Sequence, residues 1–131
     1  MPHFTALVTL FACLFLFATG IFVAQARRKT GVKAPAMTGH PEFERAYRVQ
    51  MNTVEWMPIM LPALWLFALY VSDVWAALVG VVWIIGRVMY LVGYSRAADK
   101  RGLGFSVQAL ATIALWFGAL AGIVTAMVKV H

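Results

Sequence analysis

Cysteine is nearly absent from this chain: Cys13 stands alone among 131 residues. No disulfide can form within one copy, and Cys13, inside an apolar run, reads as a small packing residue. Histidine is equally sparse. His3, His40 and His131 fall at the two ends and in one loop, with no ligand spacing between them, so no metal is expected. Acidic residues number five against eleven Lys and Arg. There is no low-complexity tract and no internal repeat. A basic segment before the first apolar run is also missing. Ala24-Gln25-Ala26 resembles a signal-peptidase site, but Met1-Pro2-His3 supplies no positive n-region and the run from Phe4 to Ala24 is too long for a signal core. The first apolar segment is therefore expected to stay as a span.

What fills the sequence instead is hydrocarbon. Hydrophobic residues make up 63% of it and the mean hydropathy is +0.81. A soluble domain of this size cannot hide that much apolar surface, so the bilayer is the expected solvent. Four apolar stretches, about 4–26, 44–71, 74–99 and 105–130, are each long enough to cross a hydrocarbon core as a helix. The expectation is an all-α membrane protein: one domain over 1–131, built as a four-transmembrane-helix up-down bundle. The net charge of +6 does not point to nucleic acid, because of where it lies. Arg27, Arg28, Lys29 and Lys33 follow the first span, and Arg96, Lys100 and Arg101 follow the third. The connection between spans two and three offers only Ser72 and Asp73. The positive-inside rule puts the basic loops in the cytoplasm and both termini on the opposite side, with the surplus charge meeting lipid headgroups.

Pro41, Glu42 and Glu44 suit a helix start. Pro58 and Pro62 fall inside the second span, where they can kink it. Gly118-Ala119-Leu120-Ala121-Gly122, one step after Ala114, favours close helix packing.

Some polar residues lie too deep for topology to explain. Arg48, Asn52 and Glu55 are spaced i, i+4, i+7 and share one face of the second span. Arg87, Tyr90 and Tyr94 form a second stripe on the third span, and the same face continues toward Arg101. Ionisable groups at membrane depth are costly and normally face a bundle interior or a water-filled cavity. The residues of the first stripe can pair with one another. A structural Arg87–Glu55 pair is a further reading, since Glu55 is the only carboxylate at comparable depth, but it leaves Arg48, Asn52 and both tyrosines unexplained. Facing one cleft, the two stripes offer Arg donors for carboxylates, a Glu for an ammonium, an Asn for amide groups and two phenols. That inventory suits a small peptide with two carboxylates and an amine. Glutathione is the abundant cytoplasmic molecule of that description. A nearby Arg lowers a thiol pKa from its usual ~8.5, and Arg101 at the cleft mouth is the candidate.

The run Pro41-Glu42-Phe43-Glu44-Arg45-x-Tyr47-Arg48-x-Gln50-x-Asn52-x-x-Glu55, with Arg87-x-x-Tyr90-x-x-Gly93-Tyr94-x-Arg96 downstream and Ala26-Arg27-Arg28 closing the first span, resembles the MAPEG family, the membrane-associated proteins in eicosanoid and glutathione metabolism. The likeness is to its leukotriene C4 synthase and microsomal glutathione transferase branches, and it covers nearly the whole chain. It implies a homotrimer binding glutathione between subunits. Arg48, Gln50, Asn52 and Glu55 match glutathione-binding positions, as do Arg27, Tyr90 and Tyr94, with Arg87 grouped beside them. Arg101 matches the arginine that activates the thiol, and Arg28 one that assists at the second substrate. Gln50 lies on the opposite helical face from Arg48, which suits a site built at a subunit interface.

Two positions depart from the pattern: Trp56 stands where the leukotriene-forming branch has a tyrosine, and Met89 replaces an arginine. The resemblance implies a membrane-bound glutathione transferase that conjugates glutathione to a lipophilic electrophile or reduces a lipid hydroperoxide, with the second substrate arriving from membrane lipid past residues such as Leu115 and Trp116. Two other readings were weighed. A non-enzymatic lipid-presenting protein of the same fold would lack a working glutathione site, and the retained polar stripes argue against it. A small four-helix drug exporter would need a membrane-embedded Glu in the first span, which has no charge. The short loops suggest a bacterial inner membrane.

Overall fold

A computed structural model describes residues 1–130. Four helices account for nearly all of them: α1 His3–Thr30, α2 Pro41–Tyr70, α3 Asp73–Arg96 and α4 Gly102–Val130, with a single 3₁₀ turn over Ala98–Arg101 between α3 and α4. All four are long and apolar enough to cross a membrane. The chain is an integral membrane protein, and its spans alternate in direction as an up-down bundle.

The helix ends follow from local chemistry. Gly31 closes α1 in the left-handed region, at φ 77°, and its N–H donates to the Arg27 carbonyl at 2.9 Å. A residue without a Cβ takes that conformation at no steric cost. His40 caps α2: its Nδ1 accepts from the Glu42 N–H at 3.1 Å, and Pro41 follows at the first position, where its missing N–H costs nothing. Ser72 caps α3, accepting from the Trp75 N–H at 3.2 Å, so the α2–α3 connection is as tight as its two-residue polar signal indicated.

Asp73 does more than open α3. Its carboxylate accepts from the Phe4 and Thr5 N–H groups at 3.1 and 2.8 Å, satisfying donors that the first turn of α1 cannot satisfy itself. The same anion is well placed for the positive end of that helix.

Several helix ends differ from the expected spans by three or four residues. α1 runs four residues past the expected 26, because hydropathy marks the hydrocarbon boundary while the helix itself continues through Arg27, Arg28 and Lys29, cations that suit its negative end. α3 stops at Arg96 rather than 99, and α4 starts at Gly102 rather than 105. α2 passes through Pro58 and Pro62 without interruption.

The core lies between the helices at mid-height, where Ala12, Met57, Met60, Leu64, Trp83 and Leu115 pack together. Glycine decides how close α4 can come. A Cβ on Gly104 would collide with the backbone of Tyr90, and one on Gly86 would lie 2.7 Å from the backbone nitrogen of Gln108. Gly118 and Gly122 seat α4 against Phe67 and Tyr70 of α2 and Val71 just beyond it, so the GxxxG motif serves packing within the chain. The outward face of α1 is a row of exposed large apolar side chains, Phe4, Leu7, Leu10, Phe11, Leu14, Phe17 and Ile21.

Candidate functional site

The two polar stripes meet, but not through the carboxylate pair that depth alone suggested. Glu55 pairs with Arg48 on its own helix, Nη2 to Oε1 at 2.7 Å, and both side chains stay about half exposed, at 47% and 56%. Two turns of helix separate them, so the Arg48 side chain runs along the surface past Asn52 to reach Glu55. Arg87 has no carboxylate partner among the described residues. It is wholly buried and is held by oxygen dipoles from α2. Its Nη1 donates to Asn52 Oδ1 at 2.7 Å, and its Nη2 to Thr53 Oγ1 at 2.7 Å and to the Val49 carbonyl at 3.4 Å. The Tyr90 ring lies against the guanidinium, 4.5 Å from centroid to Cζ, a cation–π contact inside the core.

The rest of α3's stripe extends toward the end of the helix. Tyr90 and Tyr94 pack ring to ring at 5.4 Å, both nearly buried with Val49, and Phe105 of α4 closes over Tyr90 at 6.2 Å. Neither phenol oxygen makes a hydrogen bond among the described residues. Arg101, in the 3₁₀ turn, is exposed and lies over the Tyr94 ring at 5.4 Å. Arg48, Asn52, Glu55, Arg87, Tyr90, Tyr94 and Arg101 thus form one connected group: an exposed ion pair, a buried cation beneath it, and a cation at its far end.

Arg27, Arg28 and Gln50 are not part of that group within one chain. Arg27 turns into the first loop, donating to the Ala36 carbonyl at 2.8 Å and stacking over Phe43 at 4.5 Å. Arg28 is exposed and makes no side-chain hydrogen bond among the described residues. Gln50 lies toward α1, with its Nε2 3.5 Å from where a Cβ on Gly20 would be. The stripe and these three residues look out from different sides of the bundle, as the opposed faces of residues 48 and 50 require.

Scanning for charge overlooked two contributors. Thr53 anchors Arg87, and its own hydroxyl donates to the Val49 carbonyl at 2.8 Å. Gly104 lets α4 close over Tyr90. Thr53 had a findable signal, since it adjoins Asn52 and is the only hydroxyl on that part of the helix. The departures have places too. Trp56 packs edge-on against Phe105 at 5.6 Å, fastening α2 to α4 beside Glu55. Met89 lines a shallow apolar groove with Val92, Lys100 and Leu103. A larger apolar groove, about 340 Å³, runs between α2 and α4 along Pro58, Pro62, Leu66, Trp116 and Leu120. Among the described residues no group of His, Cys, Asp and Glu is arranged to hold a metal ion.

Chemically, the connected group can hold a small molecule with anionic and cationic ends. It offers a cation and an anion that are accessible because neither is buried, a fixed cation behind them, and a further Arg where a second negative charge can sit.

The family model described as "MAPEG family" matches residues 5–121. A protein of Synechocystis described as uncharacterized is 46% identical over 118 residues, 90% of this chain and 86% of that protein. Human microsomal glutathione S-transferase 2 is 48% identical over 100 residues, 75% of this chain and 67% of the relative. Leukotriene C4 synthase of Cavia porcellus is 42% identical over 96 residues, 73% of this chain and 64% of the relative. The matched stretch thus spans about two thirds of either mammalian protein.

Proposed function

This chain belongs to the MAPEG family, and from that premise we propose that it is a membrane glutathione transferase whose site is the Arg48–Asn52–Glu55 stripe with Arg101 at the far end of the connected group. One observation carries the proposal. Glu55 lies fourteen residues past Pro41, about 21 Å along the helix, yet it forms a half-exposed ion pair on a helix that is otherwise membrane span. Such a pair facing lipid is costly. A polar ligand and the face of a second copy would cover it. Exchange is cheap once water reaches the pair, because a hydrated, exposed ion pair contributes only ~0–1 kcal/mol. A zwitterion therefore replaces each partner's contact with one of its own, its ammonium meeting Glu55 and a carboxylate meeting Arg48.

Gln50, Arg27 and Arg28, which look out from the other side, belong in this proposal to the neighbouring subunit's site. That is the role a homotrimer gives them: each interface joins the stripe of one copy to these three residues of the next. Human microsomal glutathione S-transferase 2 carries glutathione in its name, which supports the choice of thiol peptide.

The chemistry is electrostatic. Arg101 supplies positive charge where the sulfur becomes negative, which favours the thiolate at neutral pH. The thiolate donates its electron pair to an electrophilic carbon, a C–S bond forms, and the displaced group or opened epoxide oxygen takes the charge and then a proton. With a lipid hydroperoxide, two glutathione molecules reduce the O–O bond, giving a disulfide, an alcohol and water. The lipophilic partner reaches the sulfur from the bilayer, and the α2–α4 groove beside Trp116 is shaped for its apolar part. The basic loops face the cytoplasm, where glutathione is found, in what we propose is a bacterial inner membrane.

Ultraviolet difference absorbance during a glutathione titration of the detergent-solubilised protein tests this. A saturable thiolate band near neutral pH is expected. Failure to bind glutathione overturns the transferase reading and leaves lipid binding by the α2–α4 groove as the function to examine.

A further inference from the structure

We infer that Arg87 is a positioning residue that fixes the polarity of the Asn52 amide, so that the stripe presents a hydrogen-bond donor between the cation of Arg48 and the anion of Glu55. This rests on the stripe being the ligand site proposed above.

An asparagine amide can ordinarily turn over, exchanging its oxygen for its NH₂, and its hydrogen-bond partners decide which way it points. A guanidinium leaves no such choice. It carries five N–H donors and no acceptor, so the group 2.7 Å from Arg87 Nη1 must be the Asn52 oxygen. The reversed amide would set two donors against each other beside a buried positive charge. Arg87 cannot move to relieve that arrangement. Its second nitrogen is engaged by Thr53 Oγ1 and the Val49 carbonyl, its face is covered by Tyr90, and it is entirely buried. Thr53 is oriented in turn, because its hydroxyl proton goes to the Val49 carbonyl and only its oxygen is left to accept from Arg87.

The consequence lies on the outer side. With its oxygen committed inward, Asn52 has only its NH₂ to offer, and Nδ2 makes no hydrogen bond among the described residues. What is read there is an acceptor, a carboxylate or an amide carbonyl oxygen of the ligand. An ammonium or an amide N–H placed at the same point finds no partner. Arg87 therefore contributes to specificity without touching the ligand, by deciding what Asn52 can recognise.

Two measurements test this, and the first does not depend on glutathione. Asn52 is the only asparagine in the chain, so selective ¹⁵N-asparagine labelling gives a single side-chain NH₂ signal. In the ligand-free protein its protons are expected to exchange readily with water, and Arg87→Lys, which keeps a donor-only cation, should leave that behaviour in place. An NH₂ protected from exchange in the ligand-free protein would overturn the inference, because it would mean that the nitrogen faces inward.

The second measurement uses Asn52→Asp. The carboxylate preserves the partner of Arg87, so the fold and the ligand-free melting temperature are retained or improved, but the outward donor becomes an acceptor. Glutathione affinity is expected to fall roughly tenfold to a hundredfold, the worth of one hydrogen bond to a charged group. Unchanged affinity in a folded Asn52→Asp protein would reduce Arg87 to a structural residue and sink the proposal. If the unsubstituted protein itself fails to bind glutathione, the transferase reading falls, while the exchange experiment still decides the polarity of Asn52.

Discussion

Arg48 and Arg87 are the same side chain in opposite circumstances, one on the outer surface of α2 and one inside the bundle on α3. Arg48 is half exposed and holds a single carboxylate, also half exposed. Arg87 is sealed from solvent and held by three oxygens, none of them charged. The difference teaches how one group of side chains can be both rigid and receptive. Its inner cation is fixed by dipoles that belong to the backbone and short side chains of α2, so it cannot leave. Its outer cation is matched to an anion that a ligand can replace. Burying a charge without a counterion is tolerated only where hydrogen bonds take over the solvation, and Val49, Asn52 and Thr53 provide that. Arg101 adds a third circumstance, an exposed cation resting on an aromatic ring, and the proposed reaction would place developing charge beside it.

The contrast can be broken at each arginine. The largest effect is expected at Arg101. Arg101→Ala should reduce the conjugation rate by about a hundredfold to a thousandfold, as loss of one charge-stabilising donor typically does, with the thiolate band lost and the melting temperature unchanged. Conjugation at the original rate would remove Arg101 from its assigned role. Next is Arg87→Leu, which should destabilise the bundle by ~3 kcal/mol because Asn52 Oδ1 loses its buried donor and Thr53 Oγ1 one of its partners. Thermal unfolding in detergent, with and without glutathione, reads this directly, and both curves should fall.

Glu55→Gln sharpens the comparison from the outer side. It should change ligand-free stability by less than ~1 kcal/mol, the worth of an exposed pair, while weakening glutathione binding measurably by calorimetry. A large loss of ligand-free stability would instead make the Arg48–Glu55 pair structural. The smallest effect is expected at the Lys29–Glu42 ion pair, which joins the ends of α1 and α2 at 2.8 Å in an exposed setting. Lys29→Ala should leave both melting temperature and glutathione affinity where they were.

The sequence made these arginines visible without ranking them. Four helices and their order were readable because long apolar runs and the Gly, Pro and Ser signals between them act locally. The stripe of Arg48, Asn52 and Glu55 was readable for the same reason, since i, i+4, i+7 spacing is a property of one helix. Which residue Arg87 would bond was not readable. Depth pointed to Glu55, but the outcome depends on how α3 is rotated against α2, and that is set by contacts distant in sequence. Gly104 and Gly86 govern the approach of α4 to α3, and no local pattern distinguished them from Gly118 and Gly122. Thr53 was passed over because a threonine in a membrane helix commonly bonds its own i−4 carbonyl, as this one does, and its second role needs a partner from another helix. Arg27, Arg28 and Gln50 were grouped with the stripe by resemblance alone, and the single chain leaves them apart.

The bonds from Phe4 and Thr5 to Asp73 join positions 69 and 68 residues apart. During synthesis, the first helix enters the bilayer long before its partner exists. Its leading turn lacks these acceptors until the second helix has returned and the third has begun its crossing. Only then does the carboxylate reach that turn. The clasp therefore depends on the order of insertion: it closes once the α2–α3 hairpin has turned, and a chain halted short of that turn holds its first helix through α2 alone, by packing, the Trp65–Thr9 hydrogen bond and the Lys29–Glu42 pair.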